Sequence, residues 1–136
     1  MKIYWLALFL ICLTACSNAG KVMRAVDSDL EALANRSIEK EDGSVLYKIR
    51  IFPSKNILEE HKKTLNQSMM YHADSLFYLF DGKKKIYAMQ SEPVMSGING
   101  CYEYMVVFDA GDDVKAENQV LVYQDKFINQ KRYELR

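Results

Sequence analysis

Two histidines, a set of dispersed carboxylates, one Ser-Gly loop and three cysteines are the side chains here that could do chemistry. His61 and His72 belong to no H-x-x-x-H, H-E-x-x-H or C-x-x-C spacing, so their positions specify no metal-ligand set and they read as surface or hydrogen-bonded imidazoles. Ser96-Gly97 lies in a Ser-Gly-Ile-Asn-Gly stretch without the G-x-S-x-G elbow that strains a serine nucleophile into an exposed turn. Asp109, Asp112 and Asp113 offer oxygen ligands to a hard cation, yet they lack the D-x-D-x-D-G order and the distal glutamate of a dedicated calcium loop. Glu59 with Glu60, or Glu92 with Glu103, has the composition of an acid/base pair, but such catalysis needs two carboxyl groups at a set separation with their pKa values pushed apart. Spacing alone specifies neither. The residues predict no catalytic centre, no metal and no cofactor.

The cysteines divide into three fates. Met1 and Lys2 precede an apolar run from Ile3 to Leu13, too short to span a bilayer as a helix and of the right length for the core of a signal peptide. Cys12 lies inside that run and leaves with it. Directly after it stands Leu13-Thr14-Ala15-Cys16, which resembles the lipobox of bacterial lipoproteins: a branched residue, two small residues, then the cysteine. The resemblance implies a diacylglycerol on the Cys16 thiol, cleavage before Cys16, and a mature chain tethered to a membrane through acyl chains. At roughly 0.8 kcal/mol per buried methylene, two or three such chains do not detach. The alternative is an ordinary secretory signal cut after Ser17-Asn18-Ala19, which would release a soluble protein. By the same resemblance, Ser17 after the cysteine is not the aspartate associated with inner-membrane retention. An outer-membrane anchor is therefore expected, and Ser17-Asn18-Ala19-Gly20-Lys21 lacks the acidic cluster that sends some lipoproteins to the outside, so the periplasmic face is expected. Cys101 remains as a single unpaired thiol, a small, partly buried hydrophobe near a strand start.

The chain has 136 residues with 18 basic and 18 acidic side chains, and removing Lys2 with the leader barely changes that balance. Near-neutrality gives no electrostatic drive toward nucleic acid or a polyanionic surface. Lys83-Lys84-Lys85 and Lys131-Arg132 are short clusters of the kind that keep strand edges soluble. Domain organisation follows: signal peptide 1–15, lipidated tether 16–21, and one globular domain over 22–136.

The elements that must position these groups are read from periodicity. Val22, Val26, Leu30 and Leu33 recur at helical intervals with Asp27, Ser28, Asp29 and Glu31 opposite, predicting a short amphipathic helix over Val22–Leu33. Glu39 to Gly43 reads as a turn. Val45, Tyr47, Ile49 and Ile51 alternate with Lys48 and Arg50 as a half-buried strand that Pro53 stops. Ser54 as an N-cap and Ile57, Leu58, His61 and Leu65 predict a second helix over 54–68. Leu76–Phe80 and Lys84–Gln90 flank Asp81-Gly82, a hairpin signal at which both turn residues must accept positive φ. Tyr102–Phe108 is apolar on both faces and predicts the central strand; Gln119–Tyr123 and Lys131–Leu135 follow as strands.

Six strands at short intervals predict a mainly β domain: a small antiparallel β-sandwich or partly open barrel with one or two short helices. The competing arrangement is α+β, with the helices on one face of an antiparallel sheet. The pattern over residues 75–136 loosely resembles the immunoglobulin-like accessory domains of bacterial lipoproteins, without their paired cysteines. Tyrosine gives amphipathic contact area, and all nine tyrosines but Tyr4 lie beyond the leader. The expected function is a non-enzymatic, membrane-anchored envelope module that binds a protein partner through a strand edge or a tyrosine-rich face. Inhibition of a hydrolase by a loop such as Ser96–Gly100 is the second expectation, and a small carboxylate enzyme the third.

Overall fold

The computed structural model describes residues 20–38, 41–109, 111, 114 and 118–136. The strands are β1 Val22–Val26, β2 Leu30–Ile38, β3 Val45–Pro53, β4 Phe77–Phe80, β5 Lys85–Tyr87, β6 Gln90–Val94, β7 Tyr102–Phe108, β8 Val120–Gln124 and β9 Arg132–Leu135. Helix α1, Lys55–Tyr71, joins β3 to β4. All pairings are antiparallel, in a five-stranded sheet ordered β1-β2-β3-β7-β6 and a four-stranded sheet ordered β5-β4-β8-β9. This is a small β-sandwich, as the strand pattern predicts.

The sheets meet at two corners without closing into a barrel. Arg24 on β1 exchanges backbone hydrogen bonds with Arg136 beyond β9, N–H to O at 3.0 and 3.4 Å. At the other corner Ala88 N donates to Phe77 O in one sheet while the next residue, Met89, donates to Val107 O in the other. The single strand expected over Lys84–Gln90 is therefore two, β5 and β6, divided between the sheets.

The helix expected over Val22–Leu33 is a hairpin instead. The Asp27 side chain turns the chain, its Oδ1 accepting from Asp29 N at 2.8 Å and Leu30 N at 3.1 Å. Such an Asx turn offers the backbone a partner that a helix cannot match. Beyond it, Leu30, Ala32 and Ala34 alternate into the core, whereas Val22 and Val26 are 54% and 53% exposed. In the β4–β5 hairpin only Gly82 has positive φ, 97°; Asp81 does not. The loop is longer than the two-residue turn expected there, with Phe80 opposite Lys85 and Asp81 Oδ1 accepting from Lys83 N and Lys84 N at 2.8 and 2.7 Å.

On β3, Val45, Tyr47, Ile49 and Ile51 face inward, and on β7 Tyr102, Tyr104, Val106 and Phe108 do the same between β3 and β6. A row of aromatic rings carries the core across the sandwich: Tyr104 lies tilted 5.2 Å from Phe77, Phe77 stacks 5.4 Å from Tyr123, and Tyr123 stacks 5.9 Å from Tyr133. Two buried tyrosine hydroxyls are satisfied, Tyr104 donating to Met69 O at 2.7 Å and Tyr123 to Asp125 Oδ1 at 2.6 Å. Helix α1 buries Leu65 and Met69 against this core. Ser54 stands at its N-cap position but makes no side-chain cap; its N–H donates to Asp29 O at 2.7 Å, tying the helix start to the β1–β2 turn.

Candidate functional site

The start of α1, the β1–β2 turn, the end of β6 and the start of β7 all lie at one end of the larger sheet, because Leu30 is paired with Pro53, Ile51 with Tyr102 and Val94 with Glu103. There residues 94–102 run along α1 and leave a groove of about 660 Å³. On the helix side Lys55, Glu59, Lys62, Asn66 and Met70 follow each other at three- and four-residue intervals and share a face. Leu58 adds an apolar contact beside them. On the other side Val94, Met95 and Ile98 supply most of the apolar wall.

Two glycines shape that wall. Gly97 and Gly100 both take φ of 71°, a conformation that costs a residue with a Cβ. At Gly100 a Cβ would also stand 3.0 Å from Leu58 Cδ1, so the loop backbone lies directly on the helix. The Tyr102 hydroxyl donates to Asn66 Oδ1 across the groove floor. Met95 is 86% exposed and Ile98 42% exposed. Cys101 lies half-buried at the base, one residue before β7, with no disulfide. Burial pushes its thiol up, against a smaller downward pull from Ser96 and Arg50.

The other singled-out residues do not converge on this groove. His61 is exposed on α1, 3.6 Å from Glu60, and His72 ends the helix with its ring 6.5 Å from Phe127. Eleven residues of helical rise, about 16 Å, separate the two. Glu103 is 4% exposed between Arg50 Nε at 2.5 Å and Lys48 Nζ at 3.3 Å. Burial raises its pKa, but those cations outweigh burial and hold the carboxyl below its ordinary value. Glu92 accepts from its neighbour Gln90 instead. That environment favours an ion pair over a proton donor. Lys131 reaches Asp29 Oδ2 at 3.1 Å and Asp27 Oδ2 at 3.2 Å, and Arg132 and Lys85 lie over the rings of Phe80 and Tyr78 at 4.8 Å. Asp109 is exposed. Asp112, Asp113, the leader and Cys16 lie outside the described residues.

No family model, curated protein or solved structure matches this chain. Its function must be argued from its own surface. Among the described residues no group of three or more His, Cys, Asp or Glu side chains could hold a metal ion, and no helix is long and apolar enough to cross a membrane.

Tyrosine as a contact surface is corrected by the structure. Tyr47, Tyr78, Tyr102, Tyr104, Tyr123 and Tyr133 are buried, leaving Tyr71 and Tyr87 exposed. These rings serve as strand formers, with hydrogen-bond partners at the hydroxyls of Tyr78, Tyr102, Tyr104, Tyr123 and Tyr133. The apolar stripe marks α1 in the sequence but does not mark the face that lines the groove; Met70, beyond the expected helix end at 68 and apolar on that otherwise polar face, is the available signal.

Proposed function

We propose that this chain is a lipid-anchored module of the bacterial cell envelope that binds another envelope protein through the groove between α1 and residues 94–102. Cys16 carries the acyl chains on this reading, and the outer membrane, facing the periplasm, is its site. The observation that carries the binding role is the exposure of Met95 and Ile98 beside a groove of about 660 Å³, where apolar area stays in water unless a partner covers it.

The sheet edges are poorer candidates. The β1 edge is bonded to Arg136, β5 is three residues long and follows two further lysines, and β6 carries Pro93. Short strands, edge lysines and proline are devices that discourage strand addition. Glu59 is the sole carboxylate in the groove lining, so a paired-carboxylate acid/base site has no second member there.

A second reading is favoured by the projection of Met95: residues 95–100 form an inhibitory loop that enters the cleft of a hydrolase. Crosslinking in native cells followed by mass spectrometry separates the two by what is recovered, an assembly or transport component or a hydrolase. Recovery of neither, with lipid and abundant porins only, contradicts both. Anchoring is tested separately: Cys16→Ser abolishes acyl labelling and membrane fractionation if Cys16 is the lipid acceptor, and unchanged fractionation contradicts that assignment.

A further inference from the structure

We infer that the groove takes a short extended peptide segment, which sets an apolar side chain against Leu58 and Met70 and a carboxylate beside Lys62. The inference deepens the binding-module reading and rests on it. Its basis is the charge and hydrogen-bonding left over along the groove. Lys55 lies 3.8 Å from Glu59, whereas Lys62 has no ion pair among the described residues. Residues 94–102 contain no charged side chain, so the opposite wall does not neutralise it. Asn66 has its carbonyl oxygen engaged by Tyr102, which leaves its amide N–H groups to donate. An ammonium and a free amide on one helix face, one turn apart, suit the oxygens of a carboxylate.

Size and orientation narrow the occupant further. A volume of about 660 Å³ holds a few side chains, not a folded domain. The chain enters at the opposite end of the sheet: β1 runs from Val22, opposite Asn35, to Val26, opposite Glu31, covering about 13 Å toward the groove end. Gly20 precedes it beside Arg36 O. Gly20 thus lies at the end of the larger sheet away from the groove.

The test selects random peptides displayed on phage against the full chain in detergent micelles, then titrates an enriched synthetic peptide. Enrichment of an aspartate, glutamate or terminal carboxylate beside leucine, methionine or phenylalanine is expected. Lys62→Glu and Met95→Asp, both at exposed positions, should each weaken binding by about tenfold or more, while Lys62→Arg retains it within a few-fold. Enrichment of basic or purely polar peptides, no enrichment, or indifference to Lys62→Glu overturns the inference. So does competition by phosphatidylethanolamine–phosphatidylglycerol vesicles, which would assign the groove to lipid. A partner crosslinked in cells alongside peptides indifferent to Lys62→Glu removes this inference alone; absence of any crosslinked protein removes the binding-module reading beneath it.

Discussion

On one side of α1 the 125–131 loop closes around the Asp125 carboxylate; on the other, residues 94–102 pass the helix with much less to hold them. Asp125 is buried and accepts from the Tyr123 hydroxyl and from the backbone N–H groups of Phe127, Ile128, Asn129 and Gln130, the last three at 2.7 to 2.9 Å. Asn129 then donates to Asp29 at 2.9 Å, and Lys131 reaches both Asp27 and Asp29, binding this loop to the β1–β2 turn. The 94–102 segment has a Ser96 hydroxyl accepting from Ile98 N at 3.2 Å and the Tyr102–Asn66 bond, while its apolar tips face water. Spent hydrogen-bonding capacity makes a rigid corner. Open apolar surface and an exposed lysine with no ion pair among the described residues make a place where a partner can gain free energy by binding.

The largest expected break in this comparison is Asp125→Ala, which strands several partly buried N–H groups and the buried Tyr123 hydroxyl. A loss of about 3 kcal/mol or more is expected in urea titration, against about 0.5 kcal/mol or less for Ser96→Ala on the other side. Comparable losses at the two positions would end the distinction.

Next comes Asp27, which burial pushes up but which the Asp29 and Leu30 N–H groups, the Tyr133 hydroxyl and Lys131 together bring down to about 2 from an ordinary 3.8. A folded pKa below the unfolded one means that the ionised carboxylate stabilises the fold. Its contribution is complete above about pH 4, declines as pH falls toward 2, and is absent below that. Asp27→Asn should therefore cost about 1–2 kcal/mol at neutral pH, and the melting curves of variant and parent should converge by about pH 2. A difference that persists there would contradict the ionic account.

Gly100→Ala forces a Cβ toward Leu58 at a positive φ and should cost about 1 kcal/mol in thermal melts while loosening the loop against the helix. An unchanged midpoint would mean that the loop does not rest on α1. The smallest effect on stability belongs to Met95→Asp, within about 0.5 kcal/mol by the same melts, because that side chain already lies in water. A larger loss would identify Met95 as a structural contact.

The contrast between the loops was only partly legible in the sequence. Strands with large alternating side chains, such as β3, stood out by period, as did α1 with its apolar stripe and β7 with its unbroken apolar run. The β1–β2 hairpin did not, because its inward residues include Ala32 and Ala34, too small to register against Val22, Val26, Leu30 and Leu33, which fall at helical spacing by coincidence. Asp27-Ser28-Asp29 was the turn signal that should have weighed more. The passage between sheets at Ala88–Met89 has no glycine or proline to mark it. Of the site, the Ser96–Gly100 loop and Cys101 were visible as sequence features, but their meeting with Lys62 and Met70 depends on the β3–β7 and β6–β7 pairings. Long-range strand register of that kind is not written in local periodicity.

The most direct test of the groove as the binding surface is site-specific photocrosslinking in native cells, comparing a photoreactive residue at Met95 with one at Lys126 on the rigid loop. The account predicts a discrete protein adduct from position 95 and none from position 126. Equal adducts from both, or adducts from 126 alone, would contradict it.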